Sequence, residues 1–309
     1  MTEGVIAAIG ADRRPRLPVS LLVLCLFGFA SVCSFAADVP DLPDEPFGPV
    51  QVRLETIIDG LELRSAVEDG RLSLALVTLD GREVTGLGMI NGHRMQYAAS
   101  LPKVAILYGA AAALDQGRVT LTDSLQSDLV AMIRHSCNDC ANRVLAEVGR
   151  TWLLDLLQSE PYRFYDRERG GGLWVGKDYA RKEAFSRDPL QGLSHAATAW
   201  QVARWYFLLS IGELASAAQT KLMLDCLSRP GISHKFVKGL ADREATGLYR
   251  KSGTWRQYHS DSIMVTTEAG SYILVALAAD QRGARWLEKI APRVHDMVIQ
   301  ASGDPSESG

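Results

Sequence analysis

Strand-like stretches occur near both ends of this chain, with helical stretches between them, and that arrangement constrains the fold more than any other feature. Residues 72–79 and 83–89 are apolar runs on either side of Asp80-Gly81, a hairpin signal. Residues 248–252, 261–267 and 271–279 alternate as strands do, the last two joined by the tight turn Glu268-Ala269-Gly270. Between these groups, residues 100–114, 121–134, 138–148, 152–158, 198–209 and 214–228 read as helices. A further helix is expected over 51–69, where Leu54, Ile57, Ile58, Leu61 and Leu63 recur at helical spacing, and another over 284–301. Distant strands must pair with each other or leave open edges. The predicted fold class is therefore α/β in the broad α+β sense: an antiparallel sheet flanked by N- and C-terminal helices, with an all-helical lobe inserted. Residues 51–99 and 236–302 would form the sheet lobe and 100–235 the helical lobe. Residues 161–189, rich in Gly and charge without a period, read as a long loop.

The chain has 309 residues, 47% of them hydrophobic, enough for a well-formed core. A formal net charge of -3 and the lack of a long basic run exclude a nucleic-acid binder on sequence grounds. At the N-terminus, Arg13, Arg14 and Arg16 precede an apolar run over 17–36 and the small residues Ser34, Ala36 and Ala37. This reads as a secretory signal over 1–37, so the protein is expected to be exported, periplasmic or extracellular. The apolar run is marginal for a membrane span, which needs roughly 20 residues. Val32 before Cys33 is poor for lipid attachment. Residues 38–50 read as a Pro-rich acidic linker, and 303–309 as a disordered tail.

Loss of the signal removes Cys25 and Cys33 and leaves Cys137, Cys140 and Cys226. An odd count allows at most one disulfide and a spare thiol. The run Cys137-Asn138-Asp139-Cys140 is read as two small side chains near a helix start rather than as a redox motif, because no strand precedes it.

Three short patterns carry chemistry. In Ser100-Leu101-Pro102-Lys103, Pro102 suits the first turn of a helix and places Ser100 and Lys103 on one face. A serine hydroxyl becomes a nucleophile only when a base takes its proton. Lys103 can be that base if burial or a nearby cation lowers its pKa. In Ser136-Cys137-Asn138, the second hydroxyl could relay a proton to a leaving nitrogen and the amide could bind a substrate carbonyl. In Lys251-Ser252-Gly253-Thr254, a strand could pair with a peptide-like substrate, Gly253 allowing close approach. Lys251 would supply the cation beside Lys103.

These patterns, in this order, resemble those of class A β-lactamases and related penicillin-binding serine hydrolases. The resemblance extends from Q-Y-A-A-S-L-P-K-V through S-C-N-D-C-A-N-R-V-L-A-E-V-G, with Asn142 and Gly149, and S-H-A-A-T-A-W-Q-V-A-R-W to R-K-S-G-T-W. It implies a β-lactamase/transpeptidase-like fold and a serine hydrolase that cleaves a β-lactam amide through an acyl-enzyme on Ser100. Lys103 would be the base or proton relay, and Ser136 would pass the proton to the leaving nitrogen. Asn138, Lys251, Ser252, Gly253 and Thr254 would bind substrate, and the N–H groups of Ser100 and Thr254 would form the oxyanion hole. No cofactor or metal is implied; the partner is a small-molecule β-lactam or a peptidoglycan peptide, and the protein is expected to be a monomer.

The departures shape the expectation. Cys137 stands where the family usually has Asp, and the stretch from Ser100 to Ser136 is shorter than in class A enzymes. The loop Glu that class A enzymes use for deacylation has no clean counterpart; Glu168 is the nearest candidate base, ahead of Glu160 and Glu183. Without a placed base the acyl-enzyme should form and clear slowly. The rivals are a D,D-peptidase acting on peptidoglycan stem peptides and a non-catalytic domain that senses cell-wall fragments or β-lactams. His195, His234 and His259 lack metal-ligand spacing, and no G-x-S-x-G elbow exists. Arg256 could hold a substrate carboxylate or be an exposed rim residue. Trp152, Trp200 and Trp205 are expected in the core.

Overall fold

The computed structural model describes residues 40–302. The signal over 1–37, the start of the linker and the tail over 303–309 lie outside the described residues.

The terminal strands pair with each other. Strands β1 (Leu72–Asp80) and β2 (Glu83–Ile90) join β8 (Gly247–Trp255), β9 (Tyr258–Thr267) and β10 (Gly270–Ala279) in one five-stranded sheet of order β2-β1-β10-β9-β8. Every described pairing in it is antiparallel, with Leu76 opposite Leu274 at the central seam. The central strands β1 and β10 are buried nearly throughout, as apolar strands covered on both faces must be.

Helices α1 (Val50–Gly60) and α2 (Arg64–Glu68) replace the single helix expected over 51–69. The apolar spacing continues across the break, but Glu62 takes a left-handed φ of 58°, which no helix tolerates. The C-terminal helix α10 (Gly283–Ser302) follows the last strand. Leu54 and Ile58 of α1 and Leu287, Ile290 and Val294 of α10 bury their side chains with Leu74, Leu76 and Leu274 of the sheet.

The second, larger apolar cluster lies on the opposite face. It unites alternate sheet residues such as Ala75, Val77, Ile273 and Val275 with the helices α3 (Lys103–Asp115), α4 (Asp123–Arg134), α5 (Asn138–Val148), α6 (Arg150–Gln158), α7 (Ala199–Ser210) and α8 (Ala217–Leu227). Helix α3 is its axis: every residue from Lys103 to Ala113 is buried. A helix apolar around its whole circumference has to be enclosed. Trp200 and Trp205 are fully buried here, and Trp152 packs against the cluster at its margin under Arg118.

The stretch read as a loop over 161–189 holds short strands. β4 (Tyr165–Asp166) pairs with β5 (Gly171–Gly172), and β6 (Trp174–Val175) joins β7 (His195–Ala197) and β3 (Gln96–Tyr97) in a small sheet. Two-residue strands leave no periodicity to read. A one-turn helix, α9 (Phe236–Gly239), also escaped the sequence reading; its Phe236 is fully buried.

Candidate active site

Ser100 sits in the tight turn that leads into α3, which begins at Lys103 and not at 100 as the spacing predicts. Lys103, Val104 and Ala105 each donate a backbone hydrogen bond to the residue three positions back, so the chain enters α3 through a 3₁₀ turn. Ala99 before it has a φ of 52°, a backbone conformation that non-glycine residues rarely adopt and that often marks a functional site. Strand β8 passes directly alongside. A Cβ on Gly253 would stand 2.6 Å from the Ser100 nitrogen and 2.3 Å from the Ala98 carbonyl oxygen, so only glycine fits there. The Ser100 N–H donates to no backbone carbonyl among the described residues, leaving a donor for an incoming oxygen.

Lys103 is fully buried one turn along. Its ammonium donates to the Ser136 carbonyl at 2.7 Å and to Asn138 Oδ1 at 2.7 Å, and lies 3.5 Å from Ser136 Oγ. The Tyr179 ring covers its remaining side, with its centroid 4.4 Å from Nζ. Burial lowers the Lys103 pKa to about 7, and no carboxylate counters that effect. Lys251, 1% exposed on β8, donates to the same Ser136 hydroxyl at 3.1 Å and to the Ser252 carbonyl at 2.7 Å. Burial, then Lys103, then Arg250 push its pKa well below the ordinary lysine value. The sequence reading made Lys251 the cation that depresses Lys103; burial of the Lys103 amine is instead the cause at that end of the pair.

The structure thus brings Lys103, Ser136, Asn138 and Lys251 into contact, with Ser100 one turn before Lys103 and its backbone against Gly253. Ser136 is held at a left-handed φ of 56° in the short link between α4 and α5. Ser252 is buried, with its hydroxyl 3.2 Å from His234 Nε2. Thr254 is exposed at the rim, and its hydroxyl accepts from Lys235. Arg256 lies exposed in the β8–β9 turn over the Trp255 ring.

Glu168 is not part of this assembly. It is exposed at the β4–β5 turn, its N–H bonded to Asp166, and its neighbour Arg169 pairs with Asp44. The residue that the loop presents to Lys103 is Tyr179. Its N–H donates to Asn142 Oδ1 at 2.7 Å, its ring packs at a tilt against His195 with centroids 4.3 Å apart, and its hydroxyl is buried without a partner among the described residues. His195 in turn contacts the Lys177 carbonyl at 2.9 Å, and Arg150 clamps Asp178 at 2.8 Å and 3.1 Å. Burial lowers the His195 pKa to about 4, so it is neutral at pH 7 and fixes the loop by packing and hydrogen bonding rather than by charge.

Other groups were invisible to motif reading. Lys235, 1% exposed, donates to the Gly253 carbonyl at 2.6 Å, Thr254 Oγ1 at 2.9 Å and the Ser260 carbonyl at 2.9 Å, tying down the strand beside Ser100. Arg250 forms a buried two-pronged ion pair with Asp261 at 2.6 and 2.8 Å, locking β8 to β9 behind Lys251. Lys235 belongs to no spacing pattern, and Arg250, though it opens R-K-S-G-T-W, gave no sign of its pairing with Asp261; only the fold unites these groups. Cys137 and Cys140, read as two small side chains near a helix start, form at the start of α5 the one disulfide that the odd cysteine count allowed. Cys226 is free and buried.

A model of the beta-lactamase enzyme family matches residues 124–298, more than half of the chain. The chain belongs to the beta-lactamase enzyme family. The matched stretch takes in Ser136 and β8 to β10, and begins after Ser100 and Lys103. Among solved structures, the family fold is evident in a β-lactamase from Sphaerobacter thermophilus, at 18% identity and a TM-score of 0.62 over 82% of this chain and 98% of that one. The structure of PBP-A is similar at 19% identity and a TM-score of 0.61, over 84% of this chain and 100% of that one. A PBP-A mutant described as an acyl-enzyme complex with penicillin G is similar at 20% identity and a TM-score of 0.61, over 84% and 99% of the two chains. A comparison of the sequence with curated proteins returns no match.

Proposed function

We propose that the protein is a serine hydrolase that opens β-lactam amides through an acyl-enzyme on Ser100 and clears that intermediate slowly. The observation that carries the reading is the Ser136 hydroxyl shared by two buried lysines, of which Lys103 lies one turn from Ser100. An amine whose pKa is near 7 can accept the Ser100 proton at neutral pH. Ser136 then hands a proton to the leaving nitrogen, recharged from the lysine pair. The Ser100 N–H and the strand made accessible by Gly253 supply donors for the developing oxyanion. Slow clearance follows from Tyr179: the loop offers Lys103 an aromatic face where a carboxylate could have activated water.

The same feature favours the second reading, a D,D-peptidase that acylates Ser100 with a peptidoglycan stem peptide, since such an enzyme gains nothing from rapid β-lactam hydrolysis. A binding or sensing domain would use the same pocket with no turnover. Export to the periplasm or the extracellular space is part of the proposal, on the strength of the N-terminal sequence.

Intact-mass measurements over time, after mixing with a penicillin, test the reading. A Ser100 adduct that decays with product release is the expected result. An adduct that never decays favours the peptidase or sensor, and no adduct at all excludes Ser100 acylation. Ser100→Ala should form no adduct in any case.

A further inference from the structure

We propose that Cys137–Cys140 is a thiol–disulfide exchange site whose redox state sets the geometry of the Ser136 and Asn138 acceptors around Lys103. The disulfide lies inside the segment that builds the pocket. Ser136 precedes Cys137, Asn138 follows it, and both bond the Lys103 ammonium. The bridge therefore encloses one of the two residues from which Lys103 hangs, Asn138, and starts at the residue after the other, Ser136.

Both sulfurs sit where a thiolate is stabilised. Cys137 is the N-cap of the 11-residue α5, and its sulfur accepts the Cys140 N–H at 3.1 Å. Donors at a helix N-terminus favour a thiolate. Cys140 Sγ lies 3.5 Å from Arg143 Nη2, a guanidinium also paired with Asp128. A sulfur that leaves as a stabilised thiolate leaves faster. Access is asymmetric: Cys137 is half-buried, whereas Cys140 is 6% exposed.

The exchange partner is a dithiol of small size or one presented by a redox protein. Its first thiolate attacks Cys137 Sγ. The Cys137–Cys140 bond breaks, its electron pair leaving on Cys140 beside Arg143, and a mixed disulfide forms at Cys137. The partner's second thiolate attacks its own sulfur in that mixed disulfide, and Cys137 leaves as a thiolate capped by the Cys140 N–H. Two electrons and two protons pass to the protein, and the partner departs as its disulfide.

In the oxidised state the covalent loop fixes Cys137, the residue that follows Ser136, and so restrains the link in which Ser136 takes its left-handed φ of 56°. In the dithiol state that backbone is free to relax to an ordinary conformation, withdrawing the Ser136 carbonyl and hydroxyl from Lys103. Oxidised protein is the acylating form. The coupling to acylation rests on the reading of Ser100 as nucleophile; the exchange chemistry does not.

The test is a dithiothreitol titration of the full chain, followed by alkylation and peptide-resolved mass spectrometry. Cys137 and Cys140 should become labelled while buried Cys226 stays protected, which separates native reduction from unfolding. Backbone hydrogen exchange over residues 134–142 should quicken on reduction. The rate of Ser100 acylation by a penicillin should fall by about tenfold or more, and recover with glutathione disulfide. Cys140→Ser, which keeps the Cys137 cap, should match the reduced protein and ignore the oxidant; if it fails to fold, the titration of the unsubstituted protein still decides. Resistance of the bridge until Cys226 is also labelled overturns the proposal. So does clean reduction with unchanged exchange and acylation rates. If oxidised protein is not acylated at all, the functional reading fails, and labelling with hydrogen exchange alone decides whether the site exists.

Discussion

Lys103 and Lys251 meet at one oxygen: the Ser136 hydroxyl lies 3.5 Å from the first ammonium nitrogen and 3.1 Å from the second. One amine comes from the first turn of α3 and the other from β8, so the helical lobe and the sheet each contribute half of the pair. Burial lowers Lys103 to about 7 and makes it a base at neutral pH, while burial and then the Lys103 charge push Lys251 below its ordinary value.

The acylation rate should therefore follow the neutral fraction of Lys103. With a pKa lowered to about 7, that fraction rises with pH through 7 and levels off above it. Below the midpoint the rate should drop roughly tenfold per pH unit. Quenched-flow mass spectrometry with a penicillin between pH 5 and 9 measures it; a flat profile would remove Lys103 from the role of base. Lys103→Met should cost on the order of 10²- to 10⁴-fold in acylation.

The same lysine carries a stability cost. The unfolded chain titrates near 10.5 and the folded one near 7, so the folded state binds fewer protons between those values. The penalty is absent above the unfolded pKa, grows as pH falls toward 7, and is constant below that. Lys103→Met should thus stabilise the protein at pH 6, by about 2 kcal/mol or more. The advantage should shrink toward pH 10. Urea titrations at the two pH values check the sign.

Gly253→Ala should damage both fold and function. Its Cβ would strike the Ala98 carbonyl at 2.3 Å and the Ser100 nitrogen at 2.6 Å, both backbone atoms that cannot swing aside. A loss of about 1–3 kcal/mol in stability is expected, with acylation reduced by about a hundredfold as Ser100 is displaced. Thermal unfolding and adduct formation report the two effects separately.

Tyr179→Glu would place a carboxylate where the ring now covers Lys103. The acyl-enzyme should then decay faster, by about tenfold or more, through activation of water. The new anion would also favour the charged lysine, moving the acylation midpoint above 7. An unaltered adduct lifetime combined with the shifted midpoint would show that water cannot reach the ester.

The strand and helix order was legible because long elements print their period in the chain: β10 and α5 fall within a residue or two of where alternation and spacing put them. Ser100, Lys103 and Lys251 were legible because each lies in a short local pattern. Tyr179, Lys235 and Asp261 were not, since what matters about each is a neighbour far along the chain, as with Asp261 and Arg250 across two strands. Glu168 failed for a related reason. A carboxylate in the right loop is chemically suitable, but the β4–β5 hairpin turns it to solvent, and two-residue strands give no warning of that turn. The disulfide was half visible: the spacing of Cys137 and Cys140 permitted it, while the absent preceding strand argued against a redox motif.

The two apolar clusters lie on opposite faces of the sheet, and every group gathered around Ser136 belongs to the helical-lobe side. Residues behind the sheet, on α1 and α10, pack in the other apolar cluster, so substitutions there should register as changes in thermal stability while the acylation rate holds.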